Sequence, residues 1–502
     1  MTVPEPQSSG QHKHVAPSQS IPPVVGRQKL SGRAFYESIG SPKKIIAPMV
    51  DQEPLLAYTP MLHARLFGQI SNYRDNHFQA LRTGLPPPSD TREESRFPCS
   101  DFYLDGNPAV DRPLFVQFCA NSPDELLSAA RYVQPFCDAV DLNLGCPQGI
   151  AKKGRYGAFL QEDWELIYKL INRLHNDLMV PVTAKIRVLD TKERTLEYAK
   201  LVLSAGASIL TVHGRTREQK GHNTGLADWT KIRYLRDNLP PETVIFANGN
   251  ILMGEDVDRC LEATGADGVM SAEGNLCDPT IFAPPPPLGE EGREYWRGRD
   301  GRGGFRVDAV MRRYMDIIYK HVLEIPPPVR APLFLPSDSV EAATGIPAQI
   351  GDEPVDHRPS KKMKLGESVA KTTCPNLLAM KAHLFSLLRP LLSRHTDIRD
   401  MLAKCRAGDI AVYEDILAMV ENATKEGLLR YEAEAADEPT PAPKGGEDGT
   451  ACRENPGIPT AALVARPWWV CQPYVRPLPK EAFQKGSMTL SKKEKARLQK
   501  ET

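Results

Sequence analysis

Ala139-Val-Asp-Leu-Asn-Leu-Gly-Cys-Pro147 reads as a buried β-strand running straight into a sharp turn. Glycine permits unusual φ and proline has no backbone donor, so Gly145-Cys146-Pro147 must end the strand. Cys146 is thereby lifted into a loop just past the strand's C-terminal end. Working outward, short apolar runs of the same kind recur at 44–50, weakly at 56–61, and at 114–118, 182–186, 209–213, 244–248 and 268–272. Each is followed by helix-like sequence. Alternating strands and helices imply a parallel sheet. With 139–143 the runs number eight, which points to an α/β chain built on a (β/α)₈ TIM barrel; a doubly wound sheet is the alternative. Several strands end in a polar or reactive residue: Gln117, Asn143 with Cys146, Lys185 with Arg187, His213, and Asn248. In a barrel these ends converge on one mouth, where active sites are built.

Composition divides the rest of the chain. Residues 1–38 read as a disordered tail and 39–285 as the barrel. Residues 300–435 read as a smaller all-helical domain, interrupted by a disordered insertion at about 325–372, and 436–502 as a mostly disordered tail. Ala283-Pro-Pro-Pro-Pro287 and a Gly/Arg stretch at 297–306 separate the two folded parts. In the helical zone Leu377, Met380, Leu384, Leu387, Leu388 and Leu391 fall on one helical face. The Arg-Pro-Trp-Trp stretch from Arg466 to Trp469, with Pro473-Tyr474, is aromatic in a polar tail and is expected to dock back on the protein or on a partner.

The bulk numbers leave function open. The chain has 502 residues, and its 63 Lys+Arg balance its 63 Asp+Glu, so any positive footprint must be local. No apolar run approaches the roughly 20 residues needed to span a bilayer, and the polar, Pro-rich residues 1–28 have no signal-peptide core. None of the 10 Cys sits in a CxxC pair, and their spacing suggests neither disulfides nor a zinc site. The expected compartment is the cytoplasm, the nucleus or both.

The loop position of Cys146 favours chemistry over the usual fate of a free thiol, which is burial in a core. A thiol is able to act as a general acid. Lys185 sits within an apolar run, where a charge is costly unless it is paired. Asn-Leu-Gly-Cys-Pro (143–147) resembles the signature of the tRNA-dihydrouridine synthases. Ala47-Pro-Met-Val50, Lys185-Ile-Arg187, His213-Gly-Arg-Thr216, Asn248-Gly-Asn250 and Asp267-Gly-Val-Met-Ser-Ala-Glu-Gly274 follow in the family's order. Gly154-Arg-Tyr-Gly-Ala-Phe-Leu160 and Ser271-Ala-Glu-Gly274 are similar to the eukaryotic branch acting at positions 16 and 17 of the tRNA D-loop.

The resemblance implies bound FMN, reduced by NADPH or NADH, that delivers hydride to C6 of a uracil while Cys146 gives a proton to C5. It implies FMN contacts from Pro48, Met49, Val50, Gln117, Lys185, His213, Asn248, Gly249, Asn250, Ala272 and Glu273, and uracil contacts from Asn143 and Arg187. Many relatives have Gly-Arg where this chain has Ala272-Glu273, so the Glu273 side chain is expected to turn away while backbone holds the phosphate. For the tRNA backbone the candidates are Lys152, Lys153, Arg155, Arg215 and Arg217 at the mouth, with Arg312, Arg313 and Arg389 on the helical zone. A merely solvated charged face is the plainer reading of the last group. The expected assembly is a monomer with tRNA as partner, no metal and no membrane. The rival functions are a flavin barrel acting on a small molecule, and a tRNA-binding protein with a dead flavin site.

Overall fold

The computed structural model describes residues 29–47, 56–81, 103–338, 374–437 and 466–476. The apolar runs become β1 (Lys44–Ile46), β2 (Ala57–Tyr58), β3 (Leu62–His63), β4 (Leu114–Cys119), β5 (Ala139–Leu144), β6 (Val182–Arg187), β7 (Ile209–His213), β8 (Val244–Asn248) and β9 (Gly268–Ser271). They form one parallel sheet in the order β1-β9-β8-β7-β6-β5-β4-β2, with β3 also pairing β4. The Ile46 amide donates to the Leu56 carbonyl at 2.9 Å and brings the first strand back to the second, so the sheet closes into a barrel. The weak second run is split in two at Pro60, which has no amide to give to a ladder.

Helix α1 (Gly32–Ser38) precedes the barrel. After it come α2 (Ala64–Gln69), α3 (Ser71–Asp75), α4 (Pro123–Val133), α5 (Gly149–Gly154), α6 (Trp164–Asp177), α7 (Lys192–Ser204), α8 (Trp229–Asn238), α9 (Glu255–Thr264) and α10 (Glu273–Cys277). Four of these begin on side-chain caps, from Ser122, Asp163, Thr191 and Asp228, which satisfy amides that a helix cannot. Because helices cover the outside and side chains fill the inside, β4, β5 and β6 are buried along their whole length.

Inside the barrel, polarity rises from floor to mouth. The floor is Phe115, Ala139, Ile209, Val244 and Phe246. Above it lie Tyr58, Gln117, Asp141, Thr183 and Thr211, all buried. Asn143, Lys185, Arg187, His213 and Asn248 form the top, and strand register sets Asn143 beside Lys185, Arg187 beside His213, and His213 beside Asn248.

The floor is closed by α1, which corrects the reading of 1–38 as a featureless tail. Phe35 stacks on Phe115 at 5.7 Å, Tyr36 meets Phe246 at 5.8 Å, and Arg33 pairs with Asp267 at 2.6 Å. The two aromatics give this short segment enough apolar surface to order it.

Beyond the barrel, a hairpin of β10 (Tyr295–Arg297) and β11 (Gly303–Phe305) leads to α11 (Val307–Ile317). There follow α12 (Pro375–Leu387), α13 (Arg389–Leu392), α14 (Thr396–Lys404) and α15 (Ile410–Asp437). Their core joins Met311, Met315, Met380, Leu384, Leu391, Ile398, Leu402, Ile416 and Val420. The leucine face expected on one helix is buried, but the helix breaks at Leu388, where Pro390 has no amide to give the Ser386 carbonyl and its ring crowds that carbonyl.

Two further boundaries shift. The insertion expected from 325 holds an ordered stretch to 338: Arg330 pairs with Asp316 at 2.5 Å and Glu414 at 2.8 Å, and Arg293 with Asp338 at 2.7 Å. Within the tail expected from 436, α15 continues to Asp437 and residues 466–476 dock back, Val470 bridging to Arg306 and Trp469 packing on Trp296 and Tyr431. Two basic runs of the sequence, Arg358-Pro-Ser-Lys-Lys-Met-Lys364 and the stretch 492–500, lie outside the described residues.

Candidate active site

The site is assembled by period-two alternation along β4 to β8, which aims every second side chain into the barrel. One hydrogen-bond chain orients its catalytic edge. Asp141 accepts from Thr183 Oγ1 at 2.6 Å and from Gln117 Nε2 at 2.7 Å. Gln117 Oε1 accepts from Asn143 Nδ2 at 2.7 Å. Asn143 Oδ1 in turn accepts from the amides of Gly145 at 3.1 Å and Cys146 at 2.9 Å. The Asn143 side chain therefore fixes the turn that carries Cys146, besides any contact it offers a substrate.

Burial pushes the Asp141 carboxyl up to about 6, while its bonds to Thr183 and Gln117 and the charge of Lys185 oppose the rise. Sequence reading passed over Asp141, Thr183, Thr211 and Tyr58. Their signal was position alone: Asp141 lies two residues before Asn143, and Thr183 two before Lys185.

Cys146 is half-buried. Its carbonyl accepts from Ala158 at 3.0 Å, and a Cβ on Gly157 would stand 2.7 Å from that carbonyl oxygen and 3.0 Å from the Cys146 Cβ. With φ at +65°, Gly157 is a site for glycine on both counts. In the sequence nothing about Gly157 points to that contact.

The mouth also carries three cations, Lys185, Arg187 and Arg215, none of which forms an ion pair among the described residues. Lys185 Nζ donates to Asn248 Oδ1 at 2.9 Å and forms no ion pair among the described residues. Burial, then repulsion from Arg187, brings its ammonium down to about 8. Arg187 donates from Nε to the Gly145 carbonyl at 2.7 Å and from Nη1 to the carbonyls of Thr216 at 2.7 Å and Gln219 at 3.2 Å. Arg215 donates from Nη2 to Asn250 Oδ1 at 2.8 Å, from Nε to the Gly225 carbonyl at 3.1 Å, and from Nη1 to His213 Nε2 at 3.1 Å. Since a guanidinium only donates, Nε2 of His213 accepts and its proton sits on Nδ1. Burial and then the charges of Arg187, Lys185 and Arg215 hold His213 well below its usual range, so it is neutral near pH 7.

The Asn248-Gly249-Asn250 turn holds two of these cations, Lys185 and Arg215, in place. Asn248 donates to the Met270 carbonyl at 2.8 Å while receiving Lys185, and Asn250 grips both polar groups of Ala227 while receiving Arg215. Gly249 has φ +111°, and a Cβ there would lie 2.7 Å from Ala227 Cβ.

Of the expected site residues, Gln117, Asn143, Cys146, Lys185, Arg187, His213, Asn248, Gly249 and Asn250 come together. Pro48, Met49 and Val50 lie outside the described residues. Ala272 and Glu273 stand just past β9, and the Glu273 carboxylate turns to Arg476, its oxygens 2.8 and 2.9 Å from guanidinium nitrogens.

The cations expected on RNA divide. Lys152, Lys153 and Arg155 are exposed on or beside α5, immediately after the Cys146 turn. Arg217 pairs with Glu162 at 2.7 Å and Glu218 at 3.1 Å and lies over the Phe159 ring. Arg215 is instead tied inside the mouth, as described. Arg312 is instead tied to Glu421 at 2.5 Å and to the Ala331 carbonyl at 2.8 Å, a packing contact between helices. Arg313 is exposed on α11, and Arg389 lies 3.4 Å above the Tyr474 ring.

Three cations whose hydrogen-bond partners here are all uncharged are a cradle for an anion, because buried charge is costly until compensated. A flavin mononucleotide fits that donor set. Its ring edge becomes anionic on reduction, suiting Lys185, and its phosphate suits the Arg215 side. The described residues contain no cluster of three His, Cys, Asp or Glu able to hold a metal, and no helix long and apolar enough to cross a membrane.

Residues 23–287 match the family described as dihydrouridine synthase. The chain is 41% identical to the tRNA-dihydrouridine(16/17) synthase [NAD(P)(+)] of Schizosaccharomyces pombe over 90% of this chain and 93% of that protein. It is 42% identical to the protein of the same name from Saccharomyces cerevisiae, over 90% and 88%. It is 35% identical to a Rattus norvegicus protein named as like these synthases, over 93% and 81%.

Proposed function

The chain belongs to the dihydrouridine synthase family, and from that premise we propose that it reduces the 5,6 double bond of uridine in tRNA, at positions 16 and 17 of the D-loop, using FMN and NADPH or NADH. The names of the yeast relatives support the substrate and positions. The observation that carries the chemistry is Cys146 at a mouth lined also by Lys185, Arg187 and Arg215, whose hydrogen-bond partners are all uncharged.

Bound flavin supplies hydride to uracil C6. The protein's work is to hold the base, supply the proton and exclude water. Cys146 Sγ–H gives its proton to C5, so the C5=C6 bond takes up one hydride and one proton, leaving a thiolate to be reprotonated from solvent. Arg187, close enough for its charge and that of the Cys146 thiolate to be felt mutually, steadies both the thiolate and charge on a uracil oxygen. Lys185 offsets charge at the reduced flavin. Lys152, Lys153 and Arg155 hold phosphates beside the extruded base.

The test uses purified protein and tRNA lacking dihydrouridine. Wild type is yellow, oxidises NADPH and forms dihydrouridine. Cys146→Ala keeps the flavin spectrum and NADPH oxidation but loses nearly all dihydrouridine. A Cys146→Ala protein that reduced tRNA at the wild-type rate would refute the proton-donor role, and a colourless wild type the flavin role.

A further inference from the structure

Residues 466–476 run from the helical domain to the mouth of the barrel. Trp469 meets Trp468 at 5.3 Å and Trp296 at 6.2 Å, edge to face, and its carbonyl accepts from Val307 at 2.9 Å. The Cys471 amide donates to the Phe305 carbonyl at 2.8 Å, and Arg466 reaches Asp278, just past α10, at 3.6 Å. Further along, Tyr474 lies beneath Arg389, and Arg476 ends the described stretch with its bidentate grip on Glu273. Nothing in the sequence links positions 273 and 476.

Glu273 is the first residue after the loop that follows β9, on the side of the mouth where Asn250 holds Arg215. Glu273 and Arg476 are both electrostatic neighbours of Arg215. A bare carboxylate there would oppose an anion bound by Arg215. Paired with a guanidinium, it does not. We infer that Arg476 is a positioning residue for the phosphate end of FMN: by neutralising Glu273 it makes cofactor retention depend on a C-terminal segment that is itself docked on the helical domain. The inference rests on the FMN reading above. It acts through charge and not through a contact with the flavin ring. By linkage, cofactor binding and docking of the 466–476 segment favour each other.

The experiment is a set of equilibrium titrations of full-length apoprotein with FMN and, in parallel, with riboflavin, which lacks the phosphate. Arg476→Ala weakens FMN by about tenfold, the scale of one partly screened charge acting on another, and leaves riboflavin unchanged. Glu273→Gln binds FMN at least as tightly as wild type. The double variant Glu273→Gln/Arg476→Ala recovers the wild-type FMN affinity, which lost packing alone would not allow. Unchanged FMN binding in Arg476→Ala, equal loss of riboflavin binding, or no recovery in the double variant would each overturn the inference. A wild type that binds neither compound would instead overturn the cofactor reading on which it stands.

Discussion

Lys185 is a charge on a buried strand whose only hydrogen-bond partner among the described residues is an amide, and that imbalance has a measurable consequence. Burial and Arg187 hold its ammonium at about 8 against an ordinary 10.5, so without a bound anion Lys185 sheds the proton as pH rises through about 8. The ring edge of reduced FMN is anionic and prefers the protonated form, so the affinity for reduced FMN falls as pH climbs past that value, by up to about tenfold per unit, and Lys185→Met flattens the profile. Titrations between about pH 7 and 9 would reveal it; an affinity independent of pH would show that Lys185 does not face the anion. Gly157 offers a second test at this scale. Alanine there must take up a left-handed conformation and collide with the Cys146 carbonyl. Dihydrouridine formation should drop about 100-fold through misplacement of the thiol, while NADPH oxidation by the flavin is retained. Equal losses in both rates would mean the site as a whole is damaged. Cys146, Lys185 and Arg187 were legible because a reactive or charged residue at the end of an apolar run has few other reasons to be there. Asp141 was not singled out, since a lone acid in a strand gives no sign of the partners that orient it.

Elements were read from periodicity, and those with strong periodicity came out as expected. The runs at 114–118, 139–143, 182–186, 209–213 and 244–248 each fall within β4 to β8. The weak second run is a strand cut by Pro60, so its weakness had a physical cause. Helix α1 was missed because seven residues following a polar stretch show too little pattern, and its order comes from stacking on Phe115 and Phe246, far away in sequence. That makes α1 a plug with a testable cost. Tyr36→Ala removes a ring that is 2% exposed and leaves a cavity at the barrel floor, so unfolding stability should fall by about 3–5 kcal/mol. Denaturant unfolding would measure it, and a loss under about 1 kcal/mol would mean that α1 is not part of the barrel's core.

At the scale of the whole molecule, the chain is a barrel that holds cofactor and thiol, joined to a helical domain whose last described segment returns to the barrel mouth. The order of domains was legible from composition. The return was not, because an aromatic patch in a polar tail announces that it docks but not where. The account's central claim is that this site reduces uridine in the tRNA D-loop with Cys146 as proton donor. Its most direct test is dihydrouridine mapped by position, by mass spectrometry of tRNA from cells lacking this chain and from the same cells given wild type or Cys146→Ala. The account predicts loss confined to positions 16 and 17, restored by wild type and not by Cys146→Ala. Dihydrouridine unchanged at both positions, or restored in full by Cys146→Ala, would contradict it.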